Sequence, residues 1–364
     1  MHLCLFISSL TGGGAERFGV DLADCFLKRG HQVTILLVEG ERDYEVPKGC
    51  EVELLELSEK ARSAGSSSGK GGKIHYPRAG EELTRRLEKL EADLVISTTW
   101  VADRIATHAR HPELWLRVSN NLSGKFLRSR RGLSAFQARR KTRQVYEGKK
   151  LIGISEGVLK DLRDNFKVRP AREVVIYNGL NLIEVEERAG KACEWVDLPE
   201  DFILHVGSFK FQKRHDLLLE AYAESKIELP LILLGKGTLE GEIREKILSL
   251  GLEGKVKMAG FFKNPYPFFA KARLTVLSSE YEGLANVLLQ SLACGTPTVS
   301  TRCPSGPEEV MRGALTRGLV EPGDVGALAR GMREMLVDPP SAEECRSLVL
   351  SMEEVVEQYL SLLS

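Results

Sequence analysis

No apolar run in the 364-residue sequence approaches the roughly 18 residues that a bilayer-spanning helix needs, which argues against an integral helical membrane protein. The opening MHLCLFISSL is apolar but has no basic flank. It is read as a buried strand and not a secretion signal, so the protein is expected to be cytoplasmic. Cysteine is sparse and unpatterned. The seven are odd in number and lack zinc-ligand spacing, as expected of reduced thiols, and Cys4 and Cys294 lie in apolar surroundings typical of a core. The histidines show no metal-ligand spacing either, and no metal site is expected. An excess of either charge is missing too. Lys+Arg and Asp+Glu both number 51, so no overall field draws the chain to nucleic acid. Neither G-x-G-x-x-G nor a Walker loop occurs, which counts against a dinucleotide or ATP site.

What is present is a globular composition, 43% hydrophobic and 28% charged, on a chain long enough for two domains of similar size. Leu3 to Ser8 is a continuous apolar run, the pattern of a parallel strand covered on both faces. Thr11-Gly12-Gly13-Gly14 follows, then a helix over Ala15 to Arg29 and a strand over Val33 to Val38. Three glycines at a helix start let the backbone approach an anionic or sugar ligand, and they equally suit a tight βα turn. Further strands are expected at Cys50 to Leu57, Leu94 to Ser97, Leu114 to Val118, Leu151 to Ile154 and Val174 to Tyr177, with a helix over Gly80 to Leu90. Between them Ser58 to Lys73 is rich in Gly, Ser and Lys and is expected to be mobile. Thr98-Thr99-Trp100 and Ser119-Asn120-Asn121 fall at strand C-terminal ends, where open α/β sheets bind ligands.

Leu180 to Pro199, irregular and acidic, reads as an interdomain linker. The second half repeats the pattern, with strands at Phe202 to Val206, Leu231 to Leu234, Val256 to Met258, Leu274 to Leu277 and Thr298 to Ser300. The fold class is therefore α/β: two Rossmann-like domains with parallel sheets facing across a cleft. Their expected bounds are residues 1–180 and 181–340, with a C-terminal helix over about 341–364 packing back on the first. In the stretch from Leu274 to Glu309, Glu282 stands just ahead of a helix whose free N-terminus suits a phosphate. Plainer readings stand beside this one. Glu282 could be a carboxylate stabilised by the helix dipole, Lys213 a surface lysine, Gln290 a structural residue and His205 a satisfied core side chain.

One segment breaks the charge balance. From Arg117 to Lys150 there are eleven basic residues and one acid, Glu147, a net of +10 (11 − 1). Phe126, Leu127, Leu133, Phe136 and Val145 are interleaved. Such a run is either a solvated helix face or a surface for anionic lipid or a phosphate-bearing acceptor.

Six segments in order resemble the GT-B retaining glycosyltransferases, specifically glycosyltransferase family 4. They are Gly12-Gly13-Gly14-Ala15-Glu16-Arg17, Ile154-Ser155-Glu156, Val175 to Gly179, VGSFKFQKRHDLLLEAY, LLGKGTLEGEI and SSEYEGLANVLLQSLACGTPTVST. The resemblance covers nearly the whole chain. It implies retaining, metal-independent transfer of a sugar from a UDP- or GDP-linked donor to a hydroxyl of a glycan or lipid-linked acceptor, with no other cofactor. It implies a place in lipopolysaccharide, polysaccharide or lipid-linked glycan assembly, and with the basic segment Arg117 to Lys150 it leads to the expectation of peripheral contact at the inner membrane face. The same frame could also carry a weak or inactive sugar-nucleotide-binding subunit, or a sugar-nucleotide hydrolase or epimerase.

By that resemblance Lys213 matches the phosphate-binding lysine and Glu282 the acid near the donor sugar, the two catalytic candidates. Gly207, Ser208, Gly235, Gly283, Leu284, Ala285 and Asn286 would join them around the donor. Main-chain groups near Phe261 and Phe262 would meet the base. Gly12, Gly13, Gly14, Asn120 and Asn121 would serve the acceptor or the phosphates. Three positions depart from the family pattern. Gln290 stands where a second Glu is expected, Ser208 where an Arg is usual, and Ser119-Asn120-Asn121 where a His is common.

Overall fold

The computed structural model of the protein describes residues 1–11, 13–62, 74–193, 195 and 198–363. Gly12 and most of the Gly/Ser/Lys-rich stretch (63–73) lie outside the described residues. The chain forms two units, Met1–Asn178 with Met352–Ser364, and Gly179–Ser351.

In the first unit the described strands are β1 (His2–Ile7), β2 (Gln32–Leu37), β3 (Glu51–Leu54), β4 (Leu94–Ser97), β5 (Leu114–Val118), β6 (Lys150–Gly153) and β7 (Arg172–Val175). They make one parallel sheet in the order β3-β2-β1-β4-β5-β6-β7. Leu3 to Ile7 is fully buried, as a central strand between two helical layers must be. The order reverses between β1 and β4, so the loops after these strands leave the same sheet edge side by side. They are tied there, since Ser8 N donates to Thr99 Oγ1 at 3.0 Å.

The helix Met352–Leu360 completes this unit and packs on the helix Gly14–Lys28. Val355, Val356 and Tyr359 are fully buried. Under them lies Arg117, which opens the basic segment yet is buried. Its guanidinium donates to Tyr359 Oη at 3.0 Å and to Asn178 Oδ1, and stacks on the Phe18 ring at 3.9 Å. Arg117 is thus a core residue and not part of a basic surface, because neutral acceptors and an aromatic face replace its water. Lys149 and Lys150 at the other end are half-buried, with their ammonium groups on the carbonyls of Thr107 and Pro112.

The second unit holds β8 (Ile203–Val206), β9 (Leu231–Leu234), β10 (Val256–Gly260), β11 (Leu274–Leu277), β12 (Thr298–Thr301) and β13 (Leu319–Val320). All pair parallel in the order β10-β9-β8-β11-β12-β13, reversing between β8 and β11. The stretch expected as an irregular linker contains a helix, Leu182–Ala189, whose first turn is capped by Asn181 Oδ1 accepting from Glu184 N. The helix Ala342–Arg346 also belongs to this unit; only the chain from Met352 returns to the first. No disulfide forms among the described residues, and all seven cysteines are free.

Candidate functional site

The loops after β8 and β11 leave the switch point of the second sheet and are laced together. Ser278 Oγ donates to Lys213 O at 2.7 Å, Glu280 N to Gln212 O at 2.8 Å, and Gln212 Nε2 to Tyr281 O at 2.8 Å. This lacing brings Lys213 Nζ to 2.6 Å from Glu282 Oε1, with only 13% and 9% of the two side chains exposed. Ser279 Oγ donates to the same carboxylate oxygen at 2.6 Å. The backbone of Glu282 is fixed from a third strand end, its N–H donating to Pro304 O at 3.1 Å. A largely desolvated ion pair at the open end of a parallel sheet is a preorganised place for an anion to share the cation.

Glycines set how close the walls come. Gly235, after β9, has φ +151, and a Cβ there would fall 1.9 Å from Gly207 O. Gly306, at φ +95, backs directly onto Leu284 in the same way, at 2.5 Å from its Cα. That contact braces the turn Gly283-Leu284-Ala285, which is buried and ends with Ala285 left-handed at φ 65. From this turn the helix Asn286–Ala293 departs with no side-chain cap, its N-terminal dipole at the same sheet edge. Gln290 lies one turn along from Asn286 on the same face, half-buried. Ser208 is exposed, and Arg214, which could stand in for the missing Arg, is bonded to Asp216 and Glu280 instead. Phe261 is 65% exposed with Lys236 Nζ 5.0 Å from its ring centre, while Phe262 packs on Phe268.

Two histidines, His205, expected as a satisfied core residue, and His215, which the sequence did not single out, stand behind Gly207. His205 Nδ1 donates to Val276 O at 2.9 Å, but its Nε2 is buried without a partner, so it is only half the satisfied core residue expected. His215 has neither ring nitrogen partnered. The two rings meet edge to face, 4.6 Å apart.

In the first unit Gly13 precedes the helix Gly14–Lys28, accepts from Tyr44 Oη at 3.2 Å, and is covered by the Glu16 carboxylate. Burial pushes that carboxylate's pKa up, against its own backbone N–H and Lys125. Asn121 is taken up structurally, its Oδ1 accepting from Gly124 N at 2.8 Å to start the helix Leu122–Phe126. Asn120 Oδ1 is buried and unpartnered. Of the sequence candidates, then, Lys213, Glu282, Gly207, Ser208, Gly235, Gly283, Leu284, Ala285, Asn286 and Gln290 lie on the second unit's carboxyl edge and the elements leading from it. Gly13, Gly14, Asn120 and Asn121 lie on the first unit's edge.

Residues 12–184 match Glycosyltransferase Family 4 and residues 196–348 match Glycosyl transferases group 1. The N-acetylgalactosamine-N,N'-diacetylbacillosaminyl-diphospho-undecaprenol 4-alpha-N-acetylgalactosaminyltransferase of Campylobacter jejuni is 32% identical over 343 residues, 92% of this chain and 90% of that protein. The lipopolysaccharide core biosynthesis glycosyltransferase LpsE of Rhizobium meliloti is 29% identical over 90% of this chain and 86% of its own. In fold, HepE of Anabaena in complex with UDP-glucose superposes with a TM-score of 0.76 at 19% identity, covering 99% of both chains. The chain belongs to glycosyltransferase family 4, with the GT-B fold, and is a glycosyltransferase.

Proposed function

We propose that this protein transfers a sugar, with retention, from a UDP- or GDP-linked donor to a hydroxyl of a lipid-linked glycan or lipopolysaccharide acceptor. The observation that carries the donor site is the Lys213–Glu282 pair, 2.6 Å long and enclosed at the switch point. In this reading Lys213 turns part of its charge from Glu282 to the donor diphosphate. The N–H groups at the start of the helix Asn286–Ala293 and the Gly207–Ser208 backbone hold the same phosphates. As the anomeric C–O bond breaks, charge grows on the leaving phosphate, where these groups stabilise it most. The acceptor oxygen bonds to the anomeric carbon on the face being vacated and gives its proton to the leaving phosphate oxygen. No enzyme base is needed, and no metal. Glu282 stays beside the sugar, and Gln290 offers an uncharged amide to the nucleotide.

The acceptor class rests on the relatives, whose names include an undecaprenyl-diphosphate-linked glycan and the lipopolysaccharide core. Among the described residues no helix is long and apolar enough to cross a membrane. We assign contact with anionic lipid to the helix Gly132–Tyr146, which buries Ala135, Ala138, Thr142, Val145 and Tyr146. It exposes Leu133 (70%) and Phe136 (62%) beside Arg130, Arg131, Arg139, Arg140 and Lys141.

The test is transfer from a panel of UDP- and GDP-sugars to a polyprenyl-diphosphate-linked acceptor, with the anomeric configuration of the product read by NMR. K213A is expected to lose about a hundredfold in kcat/KM, the cost of one preorganised cation at a developing anion. Activity within a few-fold of wild type would remove Lys213 from the phosphate site, and an inverted product would refute retention.

A further inference from the structure

His205 and His215 bracket the loop that carries Lys213. The loop runs from Gly207 to Arg214, and the two rings close its ends against each other, edge to face at 4.6 Å. His205 is anchored on the neighbouring strand β11 through Val276 O, two residues before the Ser278 hydroxyl that holds Lys213 O. Gly207 separates His205 from the lysine. A Cβ on Gly207 would meet Lys213 Cγ at 3.2 Å and His205 Nε2 at 3.3 Å, so imidazole, glycine and lysine stem share one point of packing. Phe209 closes the remaining edge of His215 at 4.9 Å.

His205 is fully buried and His215 nearly so, yet three ring nitrogens have no protein partner. Buried polar atoms of this kind cost stability unless an ordered water satisfies them. Both rings are neutral, since burial and then neighbouring positive charge lower their pKa, His205 well below the usual range and His215 to about 4. A neutral imidazole places no second cation beside the Lys213 stem. The lone pair of His205 Nε2 and the N–H of His215 are the donor and acceptor set that an internal water needs.

We propose that His205 and His215 form a water-bridged pair that positions Lys213 for the donor diphosphate, making them positioning residues and not core filler. The proposal rests on the phosphate role assigned to Lys213 above.

UDP and GDP serve as probes, titrated by calorimetry against wild type, K213A, H215L, H215F and H215Q, with donor KM, kcat and Tm measured alongside. H215L and H215F are expected to hold Tm near the wild-type value while weakening nucleotide binding and lowering donor kcat/KM by about five- to tenfold. H215Q, which keeps a buried donor and acceptor, is expected to recover most of that loss. Wild-type affinity in a folded H215L or H215F would overturn the proposal, and so would failure of both to fold, which would assign the pair to the core. If K213A itself binds UDP and GDP as wild type does, the phosphate reading falls instead.

Discussion

At Gly235 the backbone turns at φ +151 with its α-carbon against Gly207 O, where a Cβ would stand 1.9 Å away. Gly235→Ala therefore meets both a strained backbone and a backbone clash that no rotamer relieves. The expected loss is about 2–4 kcal/mol of stability in the second unit, read as a lowered Tm with reduced nucleotide binding. Gly241, in the helix Glu240–Ser249 and with open space at its Cβ, is the control, where alanine should keep or slightly raise Tm. At this scale sequence reading named Lys213 and Glu282 but not their bond. The two are 69 residues apart, and what joins them is a sheet order that places β8 beside β11. Ser279, which completes the carboxylate's shell, carried no signal, since a serine before a helix reads first as a turn residue. Counting charges put Arg117 on the surface, because composition cannot register that Phe18, Asn178 and Tyr359 converge on it.

Among the elements, the helix Gly132–Tyr146 divides its work by face. Small residues and two larger ones point inward, and Leu133 and Phe136 stand out at its first turn. The double variant L133S/F136S removes two apolar wedges without touching the buried face. Its Tm should match wild type, while sedimentation with phosphatidylglycerol vesicles at low salt should fall at least about tenfold. Undiminished sedimentation would return the helix to the solvated class. Parallel strands were the most legible elements, because a strand covered on both faces is written as an unbroken apolar run, as at Leu3 to Ile7 and Leu231 to Leu234. Helix starts were less so. Tyr76–Leu90 begins ahead of its expected Gly80 because His75, an uncommon cap, accepts from Arg78 N. Asn181 with Glu184 three residues on is a usual start signal, and the acidic composition around it hid the helix it opens.

Buried groups of opposite titration sign lie in the two units, Asp103 in the first and His215, beside His205, in the second. Burial pushes the Asp103 carboxyl up to about 7, although Ser97 and Tyr146 hydroxyls and nearby Arg117 and Lys125 favour its charge. Because the unfolded carboxyl titrates near 4, the native state holds an extra proton between about pH 4 and 7, and the first unit loses stability as pH rises through that range. His215, lowered to about 4 from 6.5, does the reverse. There the unfolded chain binds the extra proton, so the second unit loses stability as pH falls from about 6.5 towards 4. Calorimetry between about pH 4.5 and 7 should show each effect as a difference between variant and wild type. D103N should flatten the slope of the first unit and H215L that of the second, each by on the order of 2 kcal/mol across the range. An unchanged slope in either variant would dismiss that group's assignment.

The chain passes from the first unit to the second at Asn178 and returns at Met352, so only the second unit is one continuous segment. On a ribosome this sets an order of birth. Residues 179–351 number 173 (351 − 178), and at about 5–20 residues per second they occupy on the order of ten to thirty-five seconds of synthesis. Through that interval Arg117 waits for Tyr359, and the helix Gly14–Lys28 for the partner that covers it. The half that is made first is the half that is finished second.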